Sequence, residues 1–237
     1  MAAVIHTATT INKVGARMQN SLLRLLQLSS PTLPVGAYAY SQGVEAAVHA
    51  GIVRDETSAL NWIQDVLRNG LVYGDLALLS HFYQAWSEND IEKIKTCSEL
   101  SLAMRETAEL KQEDQHIAKA LLRLAVPLDV DIFNYEAYEK TYPLVFSGFA
   151  QHWKVPLEQA LQAFAWSWME NQVAAMIKLV PLGQTQGQKL MLKMDVPIRQ
   201  AVDLAQQVPV DTIGNSLPHL AILSCHHENQ YSRLFRS

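Results

Sequence analysis

Apolar residues recur at the three- to four-residue spacing of helices along almost the whole chain, and the alternating pattern of strands is nearly absent. Capping residues, prolines and glycines separate the periodic segments; Asp55 precedes one and Pro156 another. No internal repeat or long linker is apparent. The pattern predicts an all-α fold, a single-domain helical bundle of about ten helices with a C-terminal interaction tail. The predicted helices are 21–28, 41–50, 56–69, 71–86, 91–99, 102–125, 135–151, 157–179, 186–194, 198–207 and 219–229.

The domain organisation follows from this pattern. Residues 1–20 carry two basic side chains and no acidic one, but too little arginine for a transit peptide, so we predict a flexible N-terminal tail. The helical domain is expected to span 21–230, and a partner-binding tail is expected at 231–237.

Composition excludes several classes of protein. The net charge is −4 and no basic patch is present, which argues against nucleic acid as the main ligand. No apolar run approaches the roughly 18 residues of a membrane span. Cys97 and Cys225 are far apart and lack CxxC spacing, which favours a reducing compartment. We therefore predict a cytoplasmic protein with neither a membrane nor a nucleic-acid partner. Charged residues make up 18% of the chain, below the usual quarter or so, which suggests that a partner covers some apolar surface.

A loop between the first two helices is the most distinctive segment. Its two prolines, Pro31 and Pro34, fix the backbone angle φ and lack the amide N–H that a helix needs as a donor. No helix can therefore run through this loop. It brings Tyr38 and Tyr40 to Ser41, the predicted cap of the next helix. The sequence thus predicts a rigid loop that presents two aromatic side chains at a helix start.

Two predicted helices carry polar residues where apolar ones are expected. Asp114 interrupts the apolar stripe of 102–125; either that helix reaches the surface there, or the carboxylate meets a partner chain or a neighbouring lysine. On 157–179, Ser167, Asn171 and Lys178 lie on one narrow face. That face is either a helix-packing groove with Lys178 reaching solvent, or it faces water, an acid or another subunit.

No arrangement typical of catalysis or metal binding is found. Residues 183–189 resemble a phosphate-binding loop, but the glycine spacing is short and Leu190 stands where Ser or Thr would bind magnesium. Cys225, His226 and His227 are good metal ligands, yet consecutive helical side chains diverge by about 100° and cannot share an ion without unwinding. We therefore predict no catalytic residue and no metal ligand.

The last residues have the composition of an interface segment. Tyr231, Leu234 and Phe235 are apolar or amphipathic, and Arg233 and Arg236 are permanent cations. Residues of these types are enriched where proteins meet. The tail is predicted to bind a partner; the alternative is a tail folded back on its own domain.

Four segments, in this order, resemble the urease accessory protein UreF family. They are the loop and helix start at 28–51, Arg105-Glu-Thr-Ala-Glu-Leu at 105–110, Lys178-Leu-Val-Pro with Gly183-Gln184, and the final segment 227–237. In the last of these, Asn229 replaces the usual threonine. Cys225-His226 departs from the small residue and arginine common in the family, which puts the local charge of that surface in doubt.

The resemblance implies a scaffold without enzymatic activity. It implies a homodimer that binds UreD, called UreH in some systems, presents a platform for the GTPase UreG, and docks on apo-urease. Such a complex would modulate GTPase-coupled delivery of nickel to the urease metallocentre. Nickel would be handled by the complex, with no cofactor stably bound to this chain. The competing hypothesis is an all-α enzyme with a buried Glu170–Lys178 acid–base pair.

The resemblance also assigns residues to partners. UreD (UreH) contacts are expected in the loop and in the final segment: Tyr38, Tyr40, Ser41, Gln42, Gly43, His227, Glu228, Gln230, Tyr231, Ser232, Arg233, Leu234, Phe235, Arg236 and Ser237. Residues that meet UreG or line a passage for the ion are expected to be Glu170, Asn171, Lys178, Gly183 and Gln184.

Overall fold

The computed structural model describes residues 21–131, 138–214 and 217–237, and over these residues the chain is helical with no strand. This confirms the predicted all-α single domain. The helices are α1 (21–28), α2 (Val44–His49), α3 (Glu56–Val66), a π-helical segment (Leu67–Leu76), α4 (Ala77–Glu88), α5 (Ile91–Ala103), α6 (Ala108–Leu122), α7 (Tyr142–His152), α8 (Leu157–Leu179), α9 (Gln184–Lys193), α10 (Asp195–Ala205) and α11 (Pro218–Glu228). The predicted flexible tail at 1–20 lies outside the described residues.

Side-chain caps explain several helix starts. Asp55 accepts the Ser58 N–H at the start of α3, and Asp90 accepts the Lys93 N–H at the start of α5. Thr107 caps α6 in the same way, so the predicted helix 102–125 was wrong at its beginning. Residues 102–103 instead end α5, which is longer than predicted.

The predicted helix 71–86 is divided by a change of helix type. Leu67–Leu76 forms a π-helical segment that continues from α3 into α4. Gly74, with φ −116° and ψ −105°, marks the kink. A π-helix differs from an α-helix in having i→i+5 backbone hydrogen bonds. No residue type or spacing is typical of these bonds, so the sequence pattern could not reveal this segment.

Helix α8 begins and ends where predicted and runs through the centre of the domain. It packs against α2, α7, α9, α10 and the π-helical segment. Most of its residues are buried, as expected for a helix that is apolar nearly all round. Its Phe164 ring lies 5.2 Å from that of Phe146 on α7, in an edge-to-face contact. Helix α7 also packs on α4 and α6.

Other boundaries shift by a few residues. Helix α10 starts at Asp195 rather than 198, and α2 starts at Val44 because Gln42 and Gly43 have positive φ. Helix α7 starts at Tyr142 rather than 135; residues 132–137 of the predicted helix lie outside the described part. Across the described ranges, every helix is too short or too polar to cross a bilayer.

Asp114 corrects the prediction that α6 reaches the surface there. Its side chain is buried and its Oδ1 lies 3.0 Å from Arg105 Nη2. The same guanidinium binds Asp75 of the π-helical segment through two hydrogen bonds of 2.6 and 3.2 Å. The Tyr142 N–H donates to Asp114 at 3.1 Å, so this network joins α6, α7 and the π-helical segment.

Candidate partner-binding site

The loop before α2 is shaped by residues in the left-handed region. Gln42 has φ 51° and Gly43 has φ 84°. The positive φ favours glycine at position 43, and a Cβ there would also lie 2.5 Å from Leu220 Cδ1 on α11, so that the leucine side chain would have to move. This turn points the Gln42 amide at α6, where it meets Glu113.

Three consecutive side chains of α8 hold the loop in place. Glu170 accepts the Tyr38 O–H at 3.0 Å. Asn171 donates to the Tyr40 carbonyl at 3.0 Å, and Gln172 donates to the Ser41 carbonyl at 3.1 Å. Burial, and then the Glu170 charge, raise the pKa of Tyr38, which keeps the phenol protonated as the donor. Asn171 and Glu170 therefore anchor the loop.

The final segment folds back onto this loop. The Ser237 carbonyl accepts both the Ser41 N–H, at 2.8 Å, and the Ser41 O–H, at 2.6 Å. The Arg236 N–H donates to the Ala39 carbonyl at 2.9 Å. Phe235 is buried, 6% exposed. The folded-back tail, the alternative stated above, is thus the geometry of 235–237, while its binding to a partner stays a prediction.

Glu45, on α2, receives the tail backbone. It accepts the N–H groups of Leu234 at 2.7 Å and Phe235 at 2.9 Å. Its Oε2 also lies 3.0 Å from Nε2 of His227. Burial acts to raise the pKa of Glu45, but these hydrogen bonds and the His227 charge outweigh it and lower the pKa. The carboxylate is thereby kept ionised where it orders the tail.

His227 is fully buried between two carboxylates. Its Nε2 faces Glu45, and its Nδ1 lies 2.9 Å from Glu109 on α6. The ring therefore bridges the two carboxylates through its two nitrogens. Arg233 forms an ion pair with the other Glu109 oxygen. Glu45, Glu109, His227 and Arg233 thus connect α2, α6, α11 and the tail in one network.

Glu113 supports the far end of the tail. It accepts the Gln42 amide at 2.5 Å and the Ser237 O–H at 2.7 Å. The carboxyl is 3% exposed, and burial raises its pKa to about 7 despite these hydrogen bonds and nearby Arg105. Its charge therefore changes near neutral pH.

The outer face of the site is apolar and basic. Tyr231 is fully exposed and Leu234 is 62% exposed. Lys178 is also exposed, and its Nζ lies 5.3 Å from the centre of the Phe235 ring, within the range of a cation–π contact. The tail thus presents side chains outward while its backbone is held inward.

The remaining predicted residues divide between this site and a second place. Glu228 accepts the Glu109 N–H at 3.3 Å, Gln230 donates its N–H to the His227 carbonyl at 3.0 Å, and Ser232 is exposed. Gly183 and Gln184 are exposed at the start of α9, where the Gly183 N–H donates to the side chain of Gln186. In the described ranges, no hydrogen bond joins those two residues to the tail.

The enzyme hypothesis fails on geometry. Glu170 is engaged by Tyr38, and Lys178 is exposed beside Phe235, so the two do not form a buried acid–base pair. Cys225 and His226 are exposed while His227 is buried, so the three side chains do not converge. Within the described part of the chain, no group of three or more His, Cys, Asp or Glu residues could hold a metal ion.

Sequence reasoning missed the three acids that bind the tail, Glu45, Glu109 and Glu113. Glu45 lies in a short helix of otherwise apolar residues, and Glu113 directly precedes the buried Asp114. The sequence signal that could have identified them is an acidic residue at a position expected to face the core. A buried carboxylate is stable only when it has hydrogen-bond or charged partners.

Comparison with known proteins identifies the family of this chain. The UreF family model matches residues 53–195. The urease accessory protein UreF of Dechloromonas aromatica is 43% identical over 222 residues, covering 91% of this chain and 97% of the relative. Those of Alkalilimnicola ehrlichii and Azoarcus sp. are each 42% identical and cover 90% and 91% of this chain and 95% of each relative. The relatives are named as accessory proteins and not as enzymes. This chain therefore belongs to the UreF family of urease accessory proteins.

Proposed function

We propose that this urease accessory protein acts in urease maturation as a scaffold, with the tail and loop as the surface that binds UreD (UreH). One observation carries the proposal. The first and last motif segments, nearly 200 residues apart in the chain, share a buried hydrogen bond of 2.6 Å between Ser41 and Ser237 and form one surface. Because the backbone is already fixed in the free protein, less conformational entropy is lost when the segment binds a partner.

The exposed side chains of this surface suit a protein partner. Tyr231 and Leu234 offer apolar area, and Arg236, also exposed, offers a planar cation. Burying the two apolar side chains against UreD would contribute roughly 2 kcal/mol each at most. Their loss should therefore weaken binding strongly without changing the fold.

The test is retention of the protein on immobilised UreD. We expect Tyr231→Ala with Leu234→Ala to weaken binding at least ten-fold, with an unchanged Tm because both side chains are solvent-exposed. Leu204→Ala, an exposed leucine on α10, is the matched control and should bind as the wild type does. Equal binding by the double variant and the control would reject the UreD surface.

We assign the UreG face to Lys178 and the Gly183-Gln184 turn. Lys178 lies in the last turn of α8 and Gly183-Gln184 begins α9, so these exposed residues lie at the two ends of one helix junction. There the chain would couple GTP hydrolysis by UreG to nickel delivery, in a homodimeric complex docked on apo-urease. Glu170 and Asn171 act indirectly in this scheme, by holding the loop.

Lys178→Ala tests this face. We expect weaker capture of UreG and weaker GTP-dependent urease activation, with no loss of Tm because the ammonium is exposed. Lys189→Ala, an exposed lysine on α9, controls for loss of positive charge. Equal UreG capture by both variants would exclude Lys178 from the interface.

A further inference from the structure

A cavity of about 170 Å³ lies behind the loop and is not explained by the tail contacts. Its walls come from the π-helical segment, α6, α8 and the start of α11. Glu106, an exposed residue before α6, lies at its edge, so the cavity can be reached from the surface.

Acidic side chains predominate in the wall, although burial raises the pKa of two of them, Glu113 and Asp114. Four carboxyl groups line it, those of Asp75, Glu106, Glu113 and Asp114, against the single guanidinium of Arg105. Arg105 pairs with two of these carboxylates and can neutralise one charge. An anionic cavity with low-dielectric walls attracts cations and disfavours anions.

Two hydrogen-bond acceptors in the wall lack a partner. Asp114 is 6% exposed, and its Oδ2 has no hydrogen bond within the described residues, in contrast to its Oδ1. The Ser167 hydroxyl from α8 is buried and equally unpartnered there. Leaving a buried carboxylate oxygen unpaired is unfavourable, and a ligand that donates a hydrogen bond to it would remove this penalty. The Nε of Arg105 is a hydrogen-bond donor that also has no partner in the described chain. At that point of the wall, a ligand would need an acceptor and not a donor.

The rest of the wall favours an organic cation over a metal ion. Tyr142, Phe164 and Trp168 contribute aromatic rings, which attract ammonium groups through their π-electrons. Although four carboxyl groups line the cavity, no three His, Cys, Asp or Glu side chains in the described part of the chain are arranged so that they could hold a metal ion. A protonated amine has N–H donors for Asp114 and Ser167 and fits a cavity of this size.

We propose that this cavity binds a small primary ammonium cation, with Asp114 and Ser167 as hydrogen-bond acceptors. The cavity lies behind the loop assigned to UreD and shares Gln42 and Glu113 with its supports, but it concerns a different ligand, so the proposal does not rest on the proposed function. Binding should strengthen as pH rises through neutrality, because Glu113 then becomes charged.

Methylammonium chloride is the probe, and the indole N–H resonance of Trp168 is the readout. We expect a saturable shift of that resonance with methylammonium and none with sodium chloride at equal ionic strength. The indole of Trp153, which does not line the cavity, serves as the internal control. Identical responses to both salts, or equal shifts of the two indoles, would overturn the proposal.

Two variants locate the site. Asp114→Asn should weaken methylammonium binding at least ten-fold by removing the charge. Ser167→Ala should weaken it several-fold and leaves the Arg105 network intact, so it tests the proposal even if Asp114→Asn does not fold. Asp203→Asn, at an exposed position on α10, should bind as the wild type does. Unchanged affinity in Ser167→Ala, or saturable Ni²⁺ binding that displaces methylammonium, would refute the assignment.

Discussion

Glu113 makes a quantitative prediction about stability and pH. Burial raises its pKa from the ordinary value of 4.5 to about 7. The folded state therefore binds the proton more tightly than the unfolded chain does. The stabilisation from this group is fully present below pH 4.5 and is lost as pH rises through the folded pKa near 7. This sign is opposite to that of Glu45, whose lowered pKa stabilises the fold above its unfolded value.

The magnitude follows from the two pKa values. Raising the pH from about 5 to about 8 should cost the wild type about 2.5 kcal/mol through Glu113. Glu113→Gln removes the titration but keeps an acceptor oxygen for Gln42 or Ser237. The variant should therefore gain about 2.5 kcal/mol relative to wild type over that interval, and match the wild type most closely at the acidic end.

The assay is urea unfolding of both proteins across this pH range, because the difference between them cancels the titration of every shared group. Glu92→Gln, at an exposed position on α5, is the control and should run parallel to the wild type. Parallel curves for Glu113→Gln and wild type would show that Glu113 titrates normally in the folded state. The assignment of a buried carboxyl with a raised pKa would then be wrong.

Three further substitutions probe the packing around the site. His227→Ala should lower the free energy of unfolding by about 2–5 kcal/mol, because it leaves a cavity and two carboxylates lose their common hydrogen-bond partner; His226→Ala, at an exposed position, should change it by less than about 0.5 kcal/mol. Arg105→Met should cost about 3–5 kcal/mol and recover part of it when combined with Asp114→Asn, as measured by a double-mutant cycle. Gly187→Ala should destabilise by about 1–3 kcal/mol in urea unfolding, because its Cβ would lie 2.6 Å from a side-chain carbon of α8.

Helix boundaries were predictable from sequence where a local signal defined them. Helix α8 was predicted at both ends because Pro156 precedes a long apolar segment that ends at Leu179. The start of α6 was missed although Thr107 is a strong capping residue, because the apolar periodicity continues through it and was taken as one helix. Periodicity alone cannot distinguish a continuous helix from two helices with similar phase.

The site was predictable in its motifs but not in its connections. Tyr38, Ser41 and Phe235 were selected from the sequence, and the structure brings all three to one place. Glu45 and Glu109 were not, because a buried acid is defined by partners that lie more than 100 residues away in the chain. A single sequence reveals the composition of each helix face. It does not reveal which face of another helix packs against it.

The tail and the cavity are connected through Gln42 and Glu113. Both residues line the cavity, and Glu113 also accepts the Ser237 O–H. A cation in the cavity would favour the ionised form of Glu113, and a charged carboxylate is the stronger acceptor for the serine hydroxyl. Thermodynamic coupling between two sites is reciprocal. If the cation strengthens docking of the tail, the docked tail must increase the affinity for the cation by the same factor. The carboxyl of Glu113 thus connects the partner surface with the acidic cavity. Its protonation should weaken both the hydrogen bond to the tail and the binding of a cation in the cavity.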